Sequence, residues 1–144
     1  MSSGSFSAEP NSSSNWDKLW EAEGRDTWRG RALSSVYARI VEFMPRTHYV
    51  YDFGGGVGLL ASALEEVGIP SQVLDHSPVA IAEASKNGVN ARVFNLLTDQ
   101  LSWSPRELRD RPYAVTATEV LEHLPADVRH SFLTTIATEV DVAF

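Results

Sequence analysis

The stretch 49–60 reads YVYDFGGGVGLL, and few folds can accommodate it. A short apolar run gives way to glycines at 54, 55, 56 and 58 and then to a new apolar periodicity. That order predicts a buried strand breaking into a loop that opens a helix. Glycines at the alternate positions 54, 56 and 58 let the backbone turn sharply and lie against a ligand with no Cβ in the way, while the first amides of the next helix point into the same space. The stretch is read as a ligand cradle, and the rest of the chain is placed around it.

Downstream, Leu59, Leu60, Ala63, Leu64 and Val67 form the apolar face of the helix, which Gly68 and Pro70 end. A second strand is expected at 72–75. Ser77 as N-cap and Pro78 at the first helical position then start a helix that stops at Asn87-Gly88. A third strand is read at 91–94, then a loop through 102–105 with one helical turn at 106–109, and a fourth strand at 113–117. After Leu124-Pro125, the positions Val128, Phe132, Leu133, Ile136 and Ala137 give a further amphipathic helix, and 140–144 begin a fifth strand. Strand alternating with helix predicts right-handed crossovers and an α/β fold. The expected form is a doubly wound, mainly parallel sheet in three αβα layers, with ligands at the carboxyl ends of the strands.

Upstream, residues 1–14 are dominated by serine and offer little apolar surface, so they are expected to form a disordered tail. Residues 15–46 read as a helical segment. Asn15 is the expected N-cap of a first helix carrying Trp16, Leu19 and Trp20 at helical spacing, which Gly24 stops. A second helix is expected at 30–43, with Leu33, Val36, Tyr37, Ile40 and Val41 in one stripe, and with Trp28 and Arg29 between the two. Aromatic stripes of this kind usually pack against a core. The sharper reading is a lid that folds over the open end of the cleft and shields it from water. Residues 47–144 make up the ligand-binding domain.

Charge narrows the partners. Residues 1–46 hold six acids and six bases, whereas residues 47–144 hold thirteen acids and six bases. An acidic domain repels phosphate backbones, which disfavours nucleic acid as a partner. The chain has no cysteine, so thiolate zinc sites and disulfides are excluded, and a cytoplasmic setting is the simplest. No apolar run approaches the roughly 20 residues needed to cross a bilayer, so no membrane partner is expected.

Two ligand classes compete for the cradle. The dinucleotide fingerprint wants a small residue five places after its first glycine, beneath a pyrophosphate, and that place is Leu59. Asp52, at the end of the strand, suits a ligand carrying an ammonium and a sulfonium, and S-adenosylmethionine has both. Asp75, closing the second strand, is placed to take both hydroxyls of a ribose in either class.

Val50-Tyr51-Asp52-Phe53-Gly54-Gly55-Gly56-Val57-Gly58, followed by Val73-Leu74-Asp75-His76-Ser77, resembles the class I S-adenosylmethionine-dependent methyltransferases. The resemblance runs over residues 47–144 and implies a Rossmann-like domain with S-adenosylmethionine as cofactor. It implies that Asp52 contacts the methionine part, that Gly54, Gly56 and Gly58 lie along the carboxypropyl chain, and that Asp75 holds the ribose and His76 flanks the adenine. Asn95, followed by Leu96, stands where the family bonds the adenine amino group. Thr118-Glu119-Val120-Leu121-Glu122-His123-Leu124 is similar to the family's segment after the fourth strand. Ala114 departs from the pattern, since relatives often carry an aspartate there.

The family's sheet has seven strands, so a chain with about five is expected to be truncated at its C-terminus. An alternative is a partner or a second copy that covers the open edge at strand five. Methyl transfer from a sulfonium is an in-line displacement that needs alignment and exclusion of water more than a covalent nucleophile. His123 is the candidate general base for an acceptor hydroxyl or amine, and the expected acceptor is a small molecule. Glu119, Glu122 and His123 also resemble the metal-binding segment of the small-RNA 2′-O-methyltransferases, but the reading favoured here is a histidine at the cleft and no metal. A non-catalytic S-adenosylmethionine-binding module and a dinucleotide oxidoreductase complete the alternatives.

Overall fold

The computed structural model describes residues 12–23, 28–99, 111–140 and 142–144. The expected loop at 102–105 and helical turn at 106–109 lie outside them, as do Gly24 and nearly all of the expected tail. In chain order the elements are α1 (Ser13–Glu23), α2 (Trp28–Phe43), β1 (Tyr49–Phe53), α3 (Leu59–Glu66), β2 (Ser71–Asp75), α4 (Pro78–Lys86), β3 (Ala91–Val93) and β4 (Tyr113–Thr116). A 3₁₀ turn at Leu121–His123, α5 (Ala126–Glu139) and β5 (Val142–Ala143) follow.

The five strands form one sheet in the order β3-β2-β1-β4-β5, and every neighbouring pair is parallel. The chain therefore winds outward from β1 to β3, crosses back, and winds outward again from β4. The strand order reverses between β1 and β4, which leaves a crevice above their carboxyl ends.

Because side chains alternate across a strand, β1 serves two cores. Val50 points with Ile40 and Met44 of α2 and with Leu60 and Leu64 of α3. Tyr51 and Phe53 point the other way, against Phe132 and Ile136 of α5. Phe53 is the centre of that second core: its ring meets Phe132 at 4.9 Å and Phe94 at 5.7 Å, both edge to face. A third cluster joins Ala61 of α3 and Val73 of β2 to Ile81 and Ala84 of α4. Burial on both faces explains why the central strands read as continuous apolar runs rather than alternating ones.

The local signals work as expected at α4, where Ser77 Oγ accepts from the Ala80 N–H at 3.1 Å and Pro78 opens the helix. The N-terminal helix differs. It begins at Ser13, inside the stretch read as tail, and Asn15 is a buried residue of its first turn instead of its cap. The first helical bond runs from the Trp16 N–H to the Ser12 carbonyl, so the serines that looked like tail supply the helix entry. The second helix likewise starts two residues early, at Trp28. Among the described residues, no helix is long and apolar enough to cross a membrane.

Candidate functional site

The cradle is built from backbone. Past β1, the Gly54 N–H donates to the Leu74 carbonyl at 2.7 Å, so the loop stays stitched to β2. Gly54 and Gly56 adopt φ of 67° and 54°, a left-handed region costly for side chains. Space forbids a side chain as well: a Cβ on Gly54 would run into Val120, and one on Gly56 would come within 2.6 Å of the Trp20 ring. Gly58 caps α3.

Asp75 closes the cradle from the neighbouring strand. Its Oδ2 accepts from the Gly56 N–H at 2.9 Å and its Oδ1 from the Ser77 N–H at 2.8 Å, and only 6% of the residue is exposed. The carboxylate thus fixes the glycine loop and the entry of α4 together. His76 lies beside it, with Nδ1 at 3.4 Å from Asp75 Oδ1.

Above these groups lies a cavity of about 280 Å³ at the carboxyl ends of the strands. Its floor includes Gly54, Gly56, Asp75 and His76, and Asn95 with Leu96 forms the far end past β3. Its roof is helical, with Trp16 and Trp20 from α1 and Leu33 and Tyr37 from α2. Its third wall is Thr118, Glu119, Val120, His123 and Leu124. Seven of the nine expected site residues line this one space: Gly54, Gly56, Asp75, His76, Asn95, Leu96 and His123. Leu59 lines it too, so the bulk that a dinucleotide site would exclude faces the ligand space.

Asp52 and Gly58 are not part of the lining. Asp52 is 2% exposed beneath the loop, packed so closely under Gly55 that a Cβ there would meet its carboxyl. Thr116, its register partner on β4, donates to Asp52 Oδ1 at 2.6 Å. Burial pushes the Asp52 carboxyl up to about 7, against the lowering effect of the Thr116 hydroxyl and with a further push from the Asp75 charge.

The third wall is an irregular turn. Glu119 has φ 58°, left-handed for a residue with a side chain, and only the residues from Leu121 to His123 form a 3₁₀ turn. Such a conformation costs on the order of 1–3 kcal/mol and persists where the surroundings impose it, here with Val120 wedged against Gly54. His123 Nε2 lies 3.9 Å from Glu122 Oε1. Among the described residues no group of three or more histidine or acidic side chains is placed to hold a metal ion.

Several contacts of the site carry no local signal in the sequence. Trp16 sets its ring edge-on to His76 at 6.4 Å and to His123 at 5.5 Å, bridging two walls. Asp17 reaches α4, where its Oδ1 accepts from the Ser77 hydroxyl and from the Val79 N–H at 3.3 Å. Tyr37 reads as one member of an apolar stripe, yet it lines the cavity. Burial, then the charges of Asp52 and Glu119, push its hydroxyl up to about 12. At the far end, the Asn95 side-chain oxygen accepts from the Leu97 N–H at 2.9 Å, and Asp99 accepts from the Asn95 N–H at 2.8 Å. Only Asn95 followed by Asp99 hints at that turn in advance.

The family profile described as a methyltransferase domain matches residues 25–139. No curated protein sequence matches the chain. Among solved structures, the chain is similar to DhpI in its "DhpI-SAM-HEP complex", with 21% identity and a TM-score of 0.62 over 94% of this chain and 63% of that one. It is similar to the magnesium protoporphyrin IX methyltransferase ChlM of Synechocystis, solved with bound SAM, at 19% identity and a TM-score of 0.62 over 94% of this chain and 75% of that one. A TehB-like SAM-dependent methyltransferase of Corynebacterium glutamicum gives 22% identity and a TM-score of 0.60 over 89% and 66%. At these identities the likeness establishes the fold, and the chain spans less than two thirds of the DhpI chain's length.

Proposed function

This chain belongs to the methyltransferase-domain family, and from that premise we propose that it binds S-adenosylmethionine and transfers its methyl group in line to a small-molecule acceptor. The observation that carries the reading is Asp75. It is a buried carboxylate at the carboxyl end of β2, lining the cavity and already bonded to the glycine loop through the Gly56 N–H. A carboxylate oxygen accepts more than one hydrogen bond, so Asp75 keeps capacity for both ribose hydroxyls while it holds the loop.

The donor set fits the cofactor. Gly54 and Gly56 line the cavity with bare backbone, which suits the carboxypropyl chain. His76 and Leu96 offer faces for the adenine, and Asn95 retains a lone pair on its side-chain oxygen for the amino group. Asp52, beneath the loop, contributes negative charge without touching the ligand, and its near-neutral carboxyl ionises more readily once a cation lies above it. Bound here, the cofactor supplies a methyl group on a sulfonium whose departure leaves a neutral thioether. The chain's own part is to align, to exclude water with the Trp16 and Trp20 roof, and to pass on a proton through His123.

Calorimetry with S-adenosylhomocysteine and with NAD tests the cofactor. Binding of the first and not the second is expected, and the reverse sinks the reading. For His123, replacement by alanine should lower turnover and leave the affinity for S-adenosylhomocysteine nearly unchanged. Unaltered turnover removes it from the reaction.

A further inference from the structure

The cavity is chemically lopsided. Its floor over β1 to β3 is taken up by the groups assigned above to the cofactor. The remaining wall is made of Trp16, Trp20, Leu33 and Tyr37, of Thr118, Val120, His123 and Leu124, and of one formal charge, Glu119. Among the described residues no lysine or arginine lines the cavity. A carboxylate, phosphate or sulfate on the acceptor would face Glu119, with Asp52 just beneath the loop.

Tyr37 reports on that space. Its phenol stands in the same wall, and burial first, then the charges of Asp52 and Glu119, oppose its ionisation. An acceptor phenol placed beside it would likewise be held neutral. An amine is affected in the opposite sense: negative surroundings favour its ammonium, and they favour the alkylated ammonium that methyl transfer produces. Aromatic faces add to this, since indole and phenol rings attract organic cations.

We propose, resting on the methyltransferase reading above, that the acceptor is an amine carried on an apolar, ring-bearing body, with Glu119 as the residue that selects for its positive charge. The balance is simple. The ammonium loses one N–H proton to solvent at the cavity mouth by way of His123, and the freed lone pair forms the N–C bond. The C–S bond breaks with its electron pair left on sulfur, and the product nitrogen keeps the positive charge opposite Glu119. No oxidant, reductant or metal enters.

The test titrates three probes of one shape, 2-phenylethylamine, 2-phenylethanol and 3-phenylpropionate, into the full chain loaded with S-adenosylhomocysteine. The amine should bind about tenfold tighter than the carboxylate, with the alcohol between. Glu119→Gln should shrink the amine-to-alcohol ratio severalfold. Glu119→Asn, which tolerates the left-handed backbone better, should do the same in a chain at least as stable. A carboxylate that binds as well as the amine, or a ratio unchanged in both variants, overturns the proposal. Because S-adenosylhomocysteine is titrated first, the two readings fail separately. No binding of it to the unaltered chain sinks the cofactor assignment and the acceptor with it, whereas normal binding without amine preference sinks the acceptor alone.

Discussion

The floor and the roof of the cavity are built by different means. The floor is backbone and buried carboxylate: Gly54, Gly56, Asp52 and Asp75 lie at the ends of central strands and are locked by bonds of 2.6 to 2.9 Å. The roof is side chain, with Trp16 and Trp20 on a helix that contacts α4 through Asp17 and packs the Trp20 ring against the loop at Gly56. A site made of backbone tolerates almost no substitution, because its shape is the shape of the core. A site made of rings on an outer helix can change with little cost to the fold. The floor should therefore fix the kind of cofactor, and the roof should tune affinity and the choice of acceptor.

The largest effect expected on this view is at Gly54. A branched side chain there must adopt a left-handed φ and displace Val120, so Gly54→Val should destabilise the chain by roughly 4 kcal/mol or more. Chemical denaturation measures it, and a near-native midpoint would mean that the loop is softer than its bonds indicate.

Next comes Asp52. Its carboxyl is raised in the folded chain to about 7 from 3.8, so between those values the folded state holds a proton that the unfolded state has released. Stability from this group is fully present below about pH 4, falls as pH rises towards 7, and is level above that. The span is on the order of 4 kcal/mol. Asp52→Asn should flatten that stretch of the stability curve, and a slope that survives the substitution assigns the titration to another group.

Asp75→Ala follows. It leaves the Gly56 and Ser77 N–H groups without their acceptor and removes the proposed ribose contact, so the affinity for S-adenosylhomocysteine should fall by about a hundredfold. A fall of only a few fold would move the ribose elsewhere in the cavity.

The contrast between floor and roof also explains what could be read from the sequence. Strand, loop and cap are local: an apolar run of five, alternate glycines and a Ser-Pro entry have one physical meaning each, and β1, the cradle and α4 lie where those signals put them. Asp75 was within reach because parallel strands place the end of β2 beside the loop. The segment Glu119-Val120-Leu121-Glu122-His123 gives no sign of its turn, since Glu and Leu are good helix formers and only the packing of Val120 on Gly54 forces the left-handed backbone. The bond from Thr116 to Asp52 spans 64 residues and that from Ser77 to Asp17 spans 60. Neither leaves a periodicity, so neither could be foreseen.

The smallest effect belongs to the roof. Asp17 stands at the N-terminus of α4, where the Ser77 hydroxyl and the Val79 N–H converge on one of its oxygens. Asp17→Asn preserves shape and an acceptor oxygen but removes the charge that complements the helix end, a loss of about 0.3–1 kcal/mol in stability. It also loosens the helix that carries Trp16 and Trp20 over the ligand, so S-adenosylhomocysteine should dissociate a few times faster while its association rate hardly changes. Stopped-flow tryptophan fluorescence reads both rates. If dissociation instead accelerates as much as in Asp75→Ala, then α1 is part of the binding floor in energetic terms, and the division between a rigid backbone cradle and an adjustable aromatic roof fails.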